Sequence, residues 1–90
     1  SEFSLEQNYP NPFNPATNIR FSIPNEFSNA NVKLAVYDIT GKMVKELMNE
    51  QLKAGVYEYG FDAANLPSGT YFYKLSAGSY SETKKMILVK

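Results

Sequence analysis

From residue 17 onward, apolar and polar positions alternate with a period of two, interrupted by turn signals every 8 to 14 residues. Ile19, Phe21 and Ile23 alternate with Asn18, Arg20 and Ser22, and Pro24 stops that run because it has no amide to give to a ladder. Val32, Leu34 and Val36 form a second run with Lys33 and Tyr37. Asp38-Ile39-Thr40-Gly41 then has the form of a type I turn ended by a left-handed glycine, which joins antiparallel strands. The return strand begins at Met43 and Val44. Residues 43–52 are ambiguous: Met43, Val44, Leu47 and Met48 recur at helical spacing, yet the run is short and lacks an N-cap. It reads as a strand passing into an irregular loop.

Tyr57, Tyr59 and Phe61 alternate with Glu58 and Gly60 in a strand reached through Gly55. Leu66-Pro67-Ser68-Gly69 reads as a turn, with Pro67 pre-setting φ and Gly69 closing it. Tyr71, Tyr73 and Leu75 alternate with Phe72 and Lys74. Ala77-Gly78-Ser79 then makes a tight hairpin into a last strand from Tyr80 to Val89. Gly41, Gly55 and Gly69 fall 14 residues apart, a pacing of hairpins, since the residues between them do not match. Seven short strands in 90 residues predict an all-β, immunoglobulin-like antiparallel sandwich. Ile19, Phe21, Val32, Leu34, Val36, Tyr57, Tyr59, Tyr71, Tyr73 and Leu75 supply most of the expected core. Gly41 and Gly69 are expected at positive φ.

The first 16 residues break the pattern. Asn8, Asn11 and Asn14 interleave with Pro10, Pro12 and Pro15, and Tyr9 and Phe13 sit among them. Asparagine before proline is driven to extended backbone, and each proline withholds a donor. Residues 1–16 therefore read as a stiff strap that covers a sheet edge and tucks both aromatics against a body formed by residues 17–90. The alternative is a linker or processing landmark. The whole is one domain.

Composition narrows the chemistry. For 10.1 kDa, size scaling gives ~5,300 Å² of folded surface, enough for one core and little room for a deep pocket. Nine basic residues balance nine acidic ones, which argues against nucleic acid as a partner. No histidine or cysteine is present, so histidine-based triads, imidazole or thiolate zinc sites and disulfides are excluded. No cofactor is expected. There is no run of ~18 apolar residues for a spanning helix, so membrane insertion is not expected, and no signal peptide opens the chain.

The remaining candidates have bland readings beside them. Asp38 is a turn residue and Asp62 ends a strand. Glu2, Glu6, Glu26, Glu46, Glu50, Glu58 and Glu82 scatter over predicted outward positions, so no carboxylate pair is marked for acid–base work. Calcium has oxygen ligands available but no D-x-D-x-D-G loop to gather them. The tyrosines either form a sugar-stacking platform or, at strand period, fill the core with hydroxyls at the rim. Lys84, Lys85 and Lys90 either blunt an edge strand or present charge to a receptor.

Five blocks in order resemble the C-terminal sorting domain (type A) of type IX secretion cargo. They are Phe3-Ser4-Leu5 through Thr17, including Asn11-Pro12; Val36 through Val44; Ala54-Gly55-Val56-Tyr57; Leu66-Pro67-Ser68-Gly69-Thr70-Tyr71; and Lys84-Lys85-Met86-Ile87-Leu88-Val89-Lys90. The match runs nearly end to end, and the one departure is Lys42, where arginine is also common. The resemblance implies a secretion address rather than a catalyst. It implies an upstream cargo domain of the same chain, carried to the periplasm of a Gram-negative-type bacterium by its own signal peptide. An outer-membrane translocon and its shuttle proteins would recognise the folded domain. A sortase-like peptidase would cleave upstream, releasing the cargo or joining it to the cell surface. On this reading the present chain is an excised terminal domain. The terminal hairpin from Gly69 to Lys90 would carry the recognition information, through Gly69, Tyr71, Lys84, Lys85 and Lys90 and through a free edge on the last strand. Asn11, Pro12, Gly41, Gly55, Pro67 and Gly69 would shape the turns. Two other classes stay open. One is a structural assembly module like that of flagellar hook-capping proteins; the other is a carbohydrate-binding accessory module of a secreted hydrolase.

Overall fold

A computed structural model describes residues 3–90, so Glu2 lies outside the described residues. Seven strands follow in order: β1 (Ser4–Leu5), β2 (Ala16–Ile23), β3 (Ala30–Tyr37), β4 (Met43–Leu52), β5 (Gly55–Asp62), β6 (Gly69–Ala77) and β7 (Tyr80–Leu88). A short 3₁₀ turn, Asn25–Phe27, follows Pro24. The strands form two antiparallel sheets, β1-β2-β5 and β4-β3-β6-β7, and the chain changes sheet at the β2–β3, β4–β5 and β5–β6 connections. This is the immunoglobulin-like sandwich. Its accessible surface is 5220 Å², close to the value size alone predicts.

Alternation explains the layers. Thr17, Ile19, Phe21 and Ile23 of β2 face inward and are buried, as are Val32, Leu34 and Val36 of β3 and Tyr71, Tyr73 and Leu75 of β6. Phe61, Met86 and Leu88 complete this core, together with Phe13 from the chain before β2. Tyr57 and Tyr59 share the inward parity of Phe61 but are only half buried. They lie on β5, which has a neighbour on one side only, so solvent reaches them.

Three sequence expectations need correction. Residues 43–52 are one continuous ten-residue strand, not a strand running into a loop. Register shifts between Leu34 and Ala35 and between Val36 and Tyr37 explain the misleading spacing, since each irregularity moves the apolar phase by one residue. Leu66–Gly69 is not the hydrogen-bonded turn. That turn is Ala63–Leu66, where the Leu66 amide donates to the Ala63 carbonyl (3.0 Å) and the Ala64 amide to Asp62 Oδ1 (2.9 Å). Gly69 has φ 153° but opens β6 rather than closing a turn. Finally, Tyr9 is 79% exposed while Phe13 is buried, so only one of the two strap aromatics is tucked in.

The 38–41 turn forms as the residues dictate. The Gly41 amide donates to the Asp38 carbonyl (3.0 Å) and Gly41 sits at φ 86°, a conformation costly for a residue with a Cβ. Gly78 and Ser79 make the last hairpin as a two-residue loop with φ 58° at Gly78.

Candidate recognition surface

The terminal hairpin β6–β7 holds every residue singled out for recognition except Lys90, which follows it. Its geometry divides them. Gly69 and Tyr71 belong to a corner. The Tyr71 hydroxyl donates to the Pro67 carbonyl at 2.6 Å, clamping the β5–β6 crossover to the start of β6. This is the tyrosine corner of immunoglobulin-like sandwiches. The same device occurs 14 residues earlier, where the Tyr57 hydroxyl donates to the Lys53 carbonyl at 2.6 Å. Gly55 and Gly69, two residues before each tyrosine, have φ of 150° and 153°. Ala54-Gly55-Val56-Tyr57 and Ser68-Gly69-Thr70-Tyr71 are thus one repeated local motif, small-Gly-β-branched-Tyr, at both crossovers. The 14-residue spacing of Gly55 and Gly69 is its sequence signal, although the residues outside the motif do not match.

Lys84 and Lys85 point to opposite faces, as adjacent strand residues must. Lys84 shares the inward parity of Met86 and lies 3.5 Å from Glu82. Glu82 is therefore not an outward surface carboxylate: it also accepts from the Tyr80 hydroxyl at 2.5 Å. Burial first, and then that bond, push the Tyr80 hydroxyl up to about 12. Phe3 stacks on Tyr80 with ring centroids 3.9 Å apart and meets Phe27 edge-on at 4.5 Å, closing this end of the sandwich. Lys90 Nζ donates to the Ala64 carbonyl at 2.6 Å, back at the β5–β6 turn. Lys85 alone of the three is held by no carboxylate or carbonyl among the described residues.

The free edge expected on β7 is occupied. The Phe13 amide donates to the Ile87 carbonyl (3.0 Å), and the Val89 amide to the Phe13 carbonyl (2.9 Å). The Ile87 amide donates to Asn11 Oδ1 (2.9 Å) and Gln7 Nε2 to the Lys85 carbonyl (2.7 Å). Asn11, with Pro12 beside it, therefore acts as a false strand neighbour. A receptor adding a strand over residues 85–89 meets the strap instead of an open ladder.

Asn8 and Tyr73 pin that strap to the core. Asn8 is 2% exposed, and its amide donates to the Tyr73 hydroxyl (2.8 Å), which in turn donates to the Glu6 carbonyl (2.7 Å). Asn8 Nδ2 donates to Thr17 Oγ1 (3.0 Å) and to the Pro10 carbonyl (3.2 Å). Burial pushes the Tyr73 hydroxyl up to about 12, against the Asn8 amide, which lowers it. Sequence reasoning missed Asn8, because one of three asparagines interleaved with prolines looks like a solvated turn residue.

On the outer face of the larger sheet, side chains form two cross-strand rows: Tyr37–Phe72–Lys85 and Ala35–Lys74–Thr83. The 38–41 turn rises beside them and holds Ile39 72% exposed. Between turn and sheet lies a cavity of about 320 Å³ lined by Tyr37, Ile39, Phe72, Lys74 and Thr83 among others. Asp38 on its wall is spent on its own turn: Oδ1 accepts from the Thr40 hydroxyl (2.6 Å) and from the Thr40 and Lys42 amides. The Thr40 hydroxyl foremost holds the Asp38 carboxyl below its ordinary value. No cluster of acidic side chains suited to a metal occurs among the described residues. Of the four strand-period tyrosines, Tyr71 and Tyr73 are buried and Tyr57 and Tyr59 half buried, so they present no open row of rings.

The sequence model described as "Secretion system C-terminal sorting domain" matches residues 7–90. No curated protein matches the chain in sequence. Among solved structures, the fold is similar to part of dimeric latent PorU from Porphyromonas gingivalis, with a TM-score of 0.70 and 24% identity. That alignment covers 94% of this chain and 9% of that one. The present chain thus spans about a tenth of its structural relative, and the likeness concerns the fold alone.

Proposed function

Because this chain belongs to the secretion system C-terminal sorting domain family, we propose that it acts as the address of a larger secreted protein. Its upstream cargo is then taken across the outer membrane by the type IX translocon. The observation that carries this reading is the family match over residues 7–90, nearly the whole folded unit. In this role the domain is a substrate of the machinery and performs no chemistry. Outer-membrane components and shuttle proteins read its folded surface in the periplasm, and a sortase-like peptidase cuts upstream of it. The cargo ends outside the cell or on its surface.

Of Lys84, Lys85 and Lys90, Lys85 is the one whose charge is available to a receptor, whereas Lys84 and Lys90 have partners within the domain. Gly69 and Tyr71 serve recognition indirectly, by setting the corner from which β6 departs. The test is a periplasm-directed reporter fused upstream of residues 1–90 in a type IX-competent bacterium. The reporter is expected in the medium or on the surface, and in the periplasm when the domain is deleted. Equal export with and without the domain would refute the address role.

A further inference from the structure

The outer face of a sandwich sheet is ordinarily polar, because water covers it. Here the Tyr37–Phe72 pair sits on that face, with Ile39 held above it on a turn whose geometry Asp38 and Gly41 lock. The result is a concave apolar site, not a flat patch. Its about 320 Å³ lies at the lower end of the ~300–1,000 Å³ typical of ligand pockets, room for a side chain or two. Its cations are Lys74, which lines it, and Lys85, which is Phe72's register partner. Among the described residues neither has a carboxylate within 4.0 Å, whereas Lys33 and Lys84 do. The one carboxylate among its lining residues, Asp38, accepts at Oδ1 from the Thr40 hydroxyl and the Thr40 and Lys42 amides and keeps its negative charge. The site therefore offers apolar contact beside two lysines set against one carboxylate, a net positive rim.

We propose that this groove is the docking site for an extended, acid-bearing segment of a partner protein. An aliphatic or aromatic side chain of that segment lies between Ile39 and Phe72, and its carboxylate meets Lys74 and Lys85. The inference rests on the sorting role and identifies where the machinery reads the domain. Charge complementarity selects the partner's sign: apolar contacts anchor, and the lysines steer and fix register. The strap also withholds residues 85–89 of β7 from main-chain addition, which leaves recognition at that end of the hairpin to side chains. A membrane surface is the weaker occupant, because lipid-reading segments gather about 4–8 basic residues and this face offers fewer.

The experiment uses the reporter fused to residues 1–90. Lys74→Glu with Lys85→Glu reverses the charge, Thr83→Trp fills the groove, and Lys45→Glu with Lys53→Glu matches the charge change elsewhere. Each purified variant is first checked for an unchanged melting temperature. The groove variants are expected to lower the exported fraction at least about tenfold, with the reporter retained in the periplasm. The charge-matched control and Lys74→Arg with Lys85→Arg should export normally. Normal export of both groove variants overturns the proposal. So does binding of the wild-type chain to phosphatidylglycerol vesicles that charge reversal abolishes, which would assign the face to lipid. Failure of the wild-type fusion to export strikes the sorting role itself, and this inference with it.

Discussion

The four-stranded sheet has two edges, and they are protected in opposite ways. The last part of β7 is sealed by its own chain: Asn11, Phe13 and Gln7 bond the main chain of Lys85, Ile87 and Val89. β4 has no neighbour on its outer side. It instead carries Lys45, Glu46, Asn49, Glu50 and Gln51, and irregular register toward β3 twists its run. Charge and bulges deter pairing without preventing it, whereas a bonded strap prevents it. The difference shows where order is concentrated. The last part of the C-terminal strand, residues 85–89, is held by the strap, and a receptor reading that stretch meets side chains rather than an open ladder.

The largest effect is expected at Phe13. It is 2% exposed and its backbone makes the two main-chain bonds between strap and β7, so Phe13→Ala should cost about 3–5 kcal/mol. Chemical denaturation measures the loss, and hydrogen exchange should show new exposure at Ile87 and Val89. Equal protection there in wild type and variant would mean that the strap does not seal β7.

Next comes Tyr73, through pH. Its hydroxyl stands at about 12 in the fold against the ordinary 10.0, so the folded state holds the proton more tightly than the unfolded chain. Stability from this group is complete below pH 10 and falls as pH rises from 10 to 12, by about 3 kcal/mol in all. Tyr80 loses stability in the same window. Tyr73→Phe should lower stability at neutral pH by about 2 kcal/mol, because the Asn8 amide and Glu6 carbonyl lose their partner. It should also flatten the alkaline loss. An unchanged pH profile would remove Tyr73 as the pin.

Asn11→Ala should cost about 1 kcal/mol, since one bond to the Ile87 amide is lost at a site water can reach. The smallest effect belongs to β4. Replacing Lys45 and Glu50 with threonine should change stability by less than about 0.5 kcal/mol. It should, however, raise self-association seen by light scattering, because the open edge loses its charges. Replacing Lys85 with threonine, on the stretch of β7 that the strap covers, should raise it less.

Much of the sandwich was legible in the chain. Ile19, Phe21, Val32, Leu34, Val36, Tyr71, Tyr73 and Leu75 were readable as core because burial on one face imposes a period of two. The Asp38–Gly41 turn was readable because its geometry is set within four residues. β4 was misread because irregularities in pairing belong to two strands at once. Of the terminal residues, the split of Lys84 and Lys85 follows from adjacency alone. That Lys85 stands unpaired while Lys84 meets Glu82 does not.

By itself, then, the sequence determined the strand pattern, the local turns, the absence of histidine and cysteine chemistry, and the ordered motifs that mark the family. Tertiary structure decided the sealed β7 edge, the buried Asn8 and the groove over Phe72. Each of these joins residues far apart in the chain: Asn8 bonds Tyr73 at a separation of 65, Asn11 bonds Ile87 at 76, and Ile39 rises beside a β6 ring. Periodicity reports which face a side chain takes, because that depends on neighbours two residues away. Which edge a distant segment covers depends on the assembled shape of both sheets, and no local pattern encodes it.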